Sequence, residues 1–138
     1  MPAKRVDDLL LDTHALLWWQ AGSGRLSERA RLAISTALRI LVSPISCWEV
    51  AMLVEKGRVR LDRPTAAWVR DLLVQDRVRA AELTPAIAVA AAELADFHGD
   101  PADRLLYATA RSVQAAMVSK DQLLQQYGAA RAEVAVLW

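Results

Sequence analysis

The sequence predicts an α/β fold, a central parallel β-sheet flanked by helices. Three observations carry this. Short apolar runs alternate with longer helix-patterned stretches along the whole chain, the pattern of a parallel sheet. Residues 9–11 are three consecutive leucines without polar alternation, which suits a strand covered on both faces. Three apolar or mixed runs end in a capping residue followed by proline, at Ser43-Pro44, Thr84-Pro85 and Asp100-Pro101. Proline at the first helical position costs nothing, because that N–H has no intrahelical partner.

Taken in order, residues 9–11 form the first strand and Asp12 ends it. Asp12 or Thr13 then caps a helix through Ala15, Leu16, Leu17, Trp18 and Trp19. Gly22, Ser23 and Gly24 make a turn. Ser27 caps a second helix to about residue 38, with Glu28 in its first turn. Residues 39–43 read as the second strand, and Pro44 opens a helix to about Lys56 that Gly57 stops. A basic loop holds Lys56, Arg58, Arg60 and Arg63. Pro64 or Thr65 starts the next helix, and residues 78–83 read as the third strand. After the Thr84-Pro85 start signal, the Ala-rich stretch from Ile87 to about Phe97 reads as a helix ended by His98, Gly99 and Asp100. Residues 102–113 form another helix, 115–118 the fourth strand, 122–127 a short helix stopped by Gly128, and 134–137 the last strand.

The bulk numbers bound the function. With 138 residues the chain can bury the core of one domain, read here as spanning 1–138. A hydrophobic share of 54% excludes a disordered chain. A net charge of +1 leaves nucleic-acid binding to local basic patches. The one cysteine, Cys47, allows no intrachain disulfide and no thiolate metal site, which fits a reducing, cytosolic setting. No apolar stretch follows the charged residues 1–8 in the manner of a signal peptide, and no run nears the ~20 residues of a membrane span.

Four acids sit where a strand hands over to a helix or just beyond: Asp12, Glu49, Asp103 and Asp121. Each has a structural reading. Asp12 and Asp121 can be N-caps, Ser46 and Glu49 have capping-box spacing, and Asp100 with Asp103 can be a cap and a first-turn acid. Glu49 discriminates between the readings. With Pro44 as first residue it lies past the first turn, among Trp48, Val50, Ala51, Met52 and Leu53, where a carboxylate needs a partner or a cation. Right-handed crossovers bring the strand ends to one sheet edge. Acids gathered there repel, and a divalent cation neutralises them; all-oxygen ligands favour Mg²⁺ or Mn²⁺ over Zn²⁺. Such a site suits phosphodiester chemistry. No phosphate-binding glycine loop and no nucleophilic Ser–His pair is present, and Cys47 reads as core.

Four segments in register resemble the PIN-domain ribonucleases, and specifically the VapC toxins of type II toxin–antitoxin modules: L-L-L-D-T-H-A-L-L-W-W around Asp12, S-P-I-S-C-W-E-V around Glu49, G-D-P-A-D-R-L-L-Y-A-T-A around Asp103, and M-V-S-K-D at Asp121. The resemblance spans nearly the whole chain. It implies a PIN-like α/β/α sandwich and a metal-dependent endoribonuclease. Asp12, Glu49 and Asp103 match the family's near-invariant acids, and Asp121 matches a fourth, more variable one. By the resemblance Asp12 and Asp103 hold the metal most directly. Glu49 and Asp121 complete the shell, hold a second ion or orient the attacking water. Thr13 and Ser119 match small hydroxyl positions, and Asp100 is the cap of the helix bearing Asp103. The resemblance further implies an RNA substrate, a VapB-type antitoxin and a homodimer.

The neighbouring residues carry paired readings. His14 is a first-turn residue or a substrate contact. Arg104 pairs with an active-site acid or phosphate, or makes a structural ion pair. The Lys56–Arg63 cluster grips RNA backbone or is a solvated loop. Trp18, Trp19 and Trp48 read mainly as core, with one of the adjacent pair free for a partner. Two other classes compete with the nuclease: a PIN-like binding module that does not cut, and a phosphotransfer receiver. The receiver would need an acid pair after the first strand, whereas Asp7 and Asp8 precede it.

Overall fold

A computed structural model describes residues 6–97 and 99–138. The charged start at residues 1–5, and His98, expected in the turn that ends the Ala-rich helix, lie outside the described residues. Five strands and seven helices alternate among those described: β1 (Asp8–Leu11), α1 (Thr13–Ala21), α2 (Glu28–Thr36), β2 (Arg39–Val42), α3 (Pro44–Glu55), α4 (Thr65–Leu73), β3 (Val78–Ala80), α5 (Pro85–Ala92), α6 (Pro101–Val113), β4 (Ala116–Val118), α7 (Gln122–Arg131) and β5 (Val136–Leu137).

The strands make one parallel sheet in the order β3-β2-β1-β4-β5. Leu10 of β1 lies between Leu41 of β2 and Met117 of β4. The chain therefore winds outward from β1 to β3, then returns to place β4 on the other edge of β1. That reversal opens a crevice beyond the carboxyl ends of β1 and β4, the position where open α/β sheets bind ligands.

Strand periodicity sorts the core. Leu9 and Leu11 pack on one face with Leu16, Ile34, Val50 and Leu72, and Leu10 packs on the other with Leu106, Tyr107, Met117 and Leu124. All three leucines of β1 are fully buried, each worth about 2 kcal/mol of apolar transfer. Both faces are covered, so the fold is the expected α/β/α sandwich. Helix α5 lies outside α6, joined through the small side chains Ala91 and Ala108 with Ile87. No helix among the described residues is long and apolar enough to cross a membrane.

Six expectations are corrected. β3 stops at Ala80: the Ala81 N–H still reaches Val42 O at 2.8 Å, but the chain then leaves the sheet for the Thr84 cap. β4 and β5 are likewise shorter than the apolar runs that announced them. α5 ends at Ala92, not near Phe97, because Leu94 and Phe97 turn inward to the second core and Asp96 takes a left-handed φ of 57°. Gly128 does not stop α7, which runs on to Arg131; a Cβ at 128 would run into the Val134 carbonyl oxygen, so this glycine allows a close crossing. Trp48 is 57% exposed, not core, because α3 buries Ser46 and Val50 one turn apart and turns Trp48 outward.

Candidate active site

The crevice beyond β1 and β4 is a cleft of about 470 Å³ lined by five carboxylates, Asp12, Glu49, Asp100, Asp103 and Asp121. The structure thus brings together the four acids singled out from the sequence and adds Asp100.

Local structure fixes each of them. Asp12 follows β1 directly; its N–H pairs with Val118 O of β4 at 3.0 Å, and its carboxylate caps α1 by accepting the Ala15 N–H at 2.8 Å. Asp121 caps α7, accepting the Leu123 N–H at 2.8 Å. Buried Ser119 links the two: it hydrogen-bonds the Asp12 carboxylate, and its Oγ accepts the Asp121 N–H at 3.1 Å. Asp100 caps α6 by accepting the Asp103 N–H at 2.8 Å, which sets Asp103 in the first turn facing the cleft.

Glu49 is held from α1. Buried Thr13 hydrogen-bonds the Glu49 carboxylate, and Thr13 Oγ1 lies 3.1 Å from the Oγ of buried Ser46. The capping box suggested by Ser46 and Glu49 is not formed; Ser43 caps α3 instead. Thr13, Ser46 and Ser119 are therefore a polar layer beneath the acids that fixes their side chains.

The electrostatics show what the site lacks. Burial pushes the Asp103 carboxyl from 3.8 up to about 7, and the negative fields of Asp100, Asp121, Asp12 and Glu49 add to it. No donor among the described residues reaches the Asp103 carboxylate. Burial also raises Asp12, against the hydrogen bonds from Ser119 and Ala15. Glu49 is raised by burial, with Asp100 and Asp12 adding and the Thr13 hydrogen bond opposing. Helix N-termini under Asp12, Asp100 and Asp121 favour negative charge but do not cancel this excess.

The donor set fits a hard divalent cation: every candidate ligand is a carboxylate oxygen, and charge neutralisation is what the acids need. Among the described residues no group of three or more acid, His or Cys side chains is placed to hold a metal ion by itself. A closed cage is not required, since Mg²⁺ keeps several waters and is usually held by one or two carboxylates together with substrate phosphates.

The remaining candidates separate. His14 is exposed in the cleft wall, its ring 5.8 Å from that of Trp18. Arg104 meets neither an acid nor an ion-pair partner among the described residues. Its guanidinium donates to the carbonyls of Ala91 (3.1 Å), Leu94 (3.4 Å) and Phe97 (2.7 Å), clamping the segment that leads to Asp100. Cys47 is half-buried with its thiol pKa raised by that burial, the opposite of an activated nucleophile. Two cleft residues escaped the sequence reading, Trp18 as a wall and Lys120, whose Nζ lies 5.8 Å from the Trp18 ring centre. The signal for Lys120 was its place inside the turn between Ser119 and Asp121.

Comparison with known proteins gives concordant results. The PIN domain family matches residues 9–130. The chain is 41% identical over 120 residues to Ribonuclease VapC22 of Mycobacterium tuberculosis, covering 86% of this chain and 91% of that protein. A toxin–antitoxin complex from Klebsiella pneumoniae superposes with a TM-score of 0.60 at 18% identity, over 82% of this chain and 86% of that one. VapBC2 from Rickettsia felis, bound to a DNA fragment from its promoter, gives 0.63 at 13% identity over 94% and 96%. At such identities these two structures speak for the fold.

Proposed function

The chain belongs to the PIN domain family, and on that premise we propose that it is a VapC-type toxin, a metal-dependent endoribonuclease neutralised by a VapB-type antitoxin. The observation that carries the reading is the convergence of Asp12, Glu49, Asp103 and Asp121 on one cleft, where burial and the neighbouring acids push Asp103 up to about 7.

Asp12 and Asp103 would hold Mg²⁺, or Mn²⁺ in its place. The bound ion supplies neutralising charge for the phosphodiester and acidity for water. The chain's own groups do the rest. Glu49, fixed by Thr13, accepts a proton from the attacking water. Asp121 lines the same cleft and completes the acid set, tied to Asp12 through Ser119. Asp100 and Arg104 position Asp103, Asp100 through the α6 cap and Arg104 through the preceding segment. The water oxygen bonds to phosphorus as the P–O bond in line with it breaks, and the leaving oxygen takes its proton from solvent, which cuts the RNA chain.

The antitoxin assignment is supported by the toxin–antitoxin assemblies among the similar structures. A homodimer, a single PIN domain over 1–138 and a cytoplasmic location complete the proposal. The test is cleavage of end-labelled RNA by antitoxin-free protein with Mg²⁺, with Mn²⁺ and with EDTA. Discrete products that need metal are expected. Equal cleavage in EDTA, or no cleavage together with no metal binding by calorimetry, would overturn the reading and favour a binding module.

A further inference from the structure

The carboxylate cleft opens sideways into a larger groove of about 760 Å³, with His14 and Trp18 on the shared wall. The groove lies between α1, the 56–64 loop and α4. In that loop Val59 and Leu61 are half-buried while Arg58 and Arg60 between and before them are exposed, so the loop presents guanidinium groups outward. Arg25 reaches the same groove from the turn after α1.

The charges of this groove are arranged asymmetrically. Its acids, Asp62 and Asp71, are both taken by Arg63, at 2.8 Å each. Arg25, Arg58 and Arg60 meet no acid among the described residues. A phosphate chain needs such a place, since the catalytic cleft presents five carboxylates and, of cations, only Lys120 and at most a metal. Affinity for a polyanion must therefore come from outside the cleft, and the groove beside it holds three arginines, Arg25, Arg58 and Arg60, that no acid neutralises among the described residues. Trp18 is half-exposed at the junction, its ring flanked by His14, Trp138 and Lys120, and what remains open is aromatic surface of the kind on which bases stack.

We propose that this groove is the track for single-stranded RNA flanking the cut bond, with Arg25, Arg58 and Arg60 taking its phosphates and Trp18 taking a base at the junction. This rests on the ribonuclease reading but is tested apart from it. Binding of a fluorescein-labelled, unstructured 12-nucleotide RNA is measured by anisotropy in EDTA, where nothing is cut, across a salt series. Each phosphate contact on single strands contributes about 0.7 to the slope of log K against log salt. Arg58→Ala and Arg60→Ala should each weaken binding about fivefold at 0.1 M salt, and the double variant about 25-fold with a slope smaller by about 1.4. Arg29→Ala, exposed on α2 outside the groove, should change affinity less than about twofold, being no phosphate contact.

Wild-type protein that does not bind the oligonucleotide, or double-variant binding with an unchanged slope, would overturn the proposal. If the variants bind RNA normally but no longer form a complex with co-expressed antitoxin, the groove is a protein-docking surface and the proposal falls. Metal-dependent cleavage by the wild type is judged separately, so the nuclease can stand while the RNA track fails.

Discussion

Replacing Asp103 by Asn should abolish cleavage and make the metal-free protein more stable. In the folded chain the Asp103 carboxyl is pushed from 3.8 up to about 7. A raised carboxylate favours its proton in the folded state. Its contribution to stability is complete below 3.8 and is lost as pH rises through about 7. At pH 8 the ionised side chain therefore costs stability that a neutral Asn does not. The full shift corresponds to about 4 kcal/mol, but the group is partly exposed and screened, so about 1–2 kcal/mol is the sensible expectation. For a chain of 138 residues that is a rise in Tm of about 3–7 °C. The Asp103 N–H to Asp100 remains, so the α6 cap is unchanged by the substitution. The gap between variant and wild type should fall to under about half between pH 8 and pH 5, as the wild-type carboxyl takes up its proton. Added Mg²⁺ should stabilise the wild type more than the variant and close the gap at pH 8. Calorimetric melts of both proteins in EDTA and in Mg²⁺ at several pH values read all of this. A variant no more stable than wild type at pH 8 in EDTA would refute the electrostatic account of the cleft.

Other perturbations separate structure from chemistry. Asp12→Asn and Asp12→Ala should both lose cleavage, but only Ala removes the α1 cap, so it should melt below Asn by about 1 kcal/mol; equal melting would show that the cap contributes nothing. Gly128→Ala should cost about 1–3 kcal/mol in urea denaturation, since α7 must move off the Val134 carbonyl, with cleavage unchanged well below the melt. Arg104→Lys replaces a planar fork by a point charge that cannot serve three carbonyls, and should cost about 1–3 kcal/mol in the same assay; an unchanged midpoint would mean those carbonyls find water instead.

Local signals made most of this fold legible. The pairs Ser43-Pro44, Thr84-Pro85 and Asp100-Pro101 declare their helices because capping and the fixed φ of proline act within a few residues. What stayed illegible depends on distant chain. Gly128 reads as a stop until Val134 is seen crossing beside it. Phe97 reads as helix until Tyr107 and Tyr127 are seen to claim its ring, with centres at 6.0 and 4.8 Å. Trp48 reads as core because hydrophobicity does not reveal which way α3 is rolled. Arg104 reads as a cation seeking an anion, yet it finds carbonyls left open where α5 breaks off. The acids are legible from their places where strands hand over to helices, from the apolar neighbours of Glu49 and from the family resemblance, but their mutual field depends on the strand order.

The structural and chemical readings of those acids are not rivals after all. Asp12, Asp100 and Asp121 are each helix caps, and each spends one oxygen on a backbone N–H. A carboxylate has two oxygens and about four lone-pair sites, so a cap leaves half of it free. The cap also removes the rotamer freedom that a metal or substrate would otherwise have to freeze. Glu49 cannot cap from its position in α3, and there Thr13 supplies the same restraint from the neighbouring helix. Asp103 alone has neither, and its carboxyl is pushed up to about 7. A sheet edge that starts several helices at one place thus supplies fixed carboxylates at little extra cost. Their repulsion is the part the fold leaves uncompensated, and a bound cation is what it leaves room for.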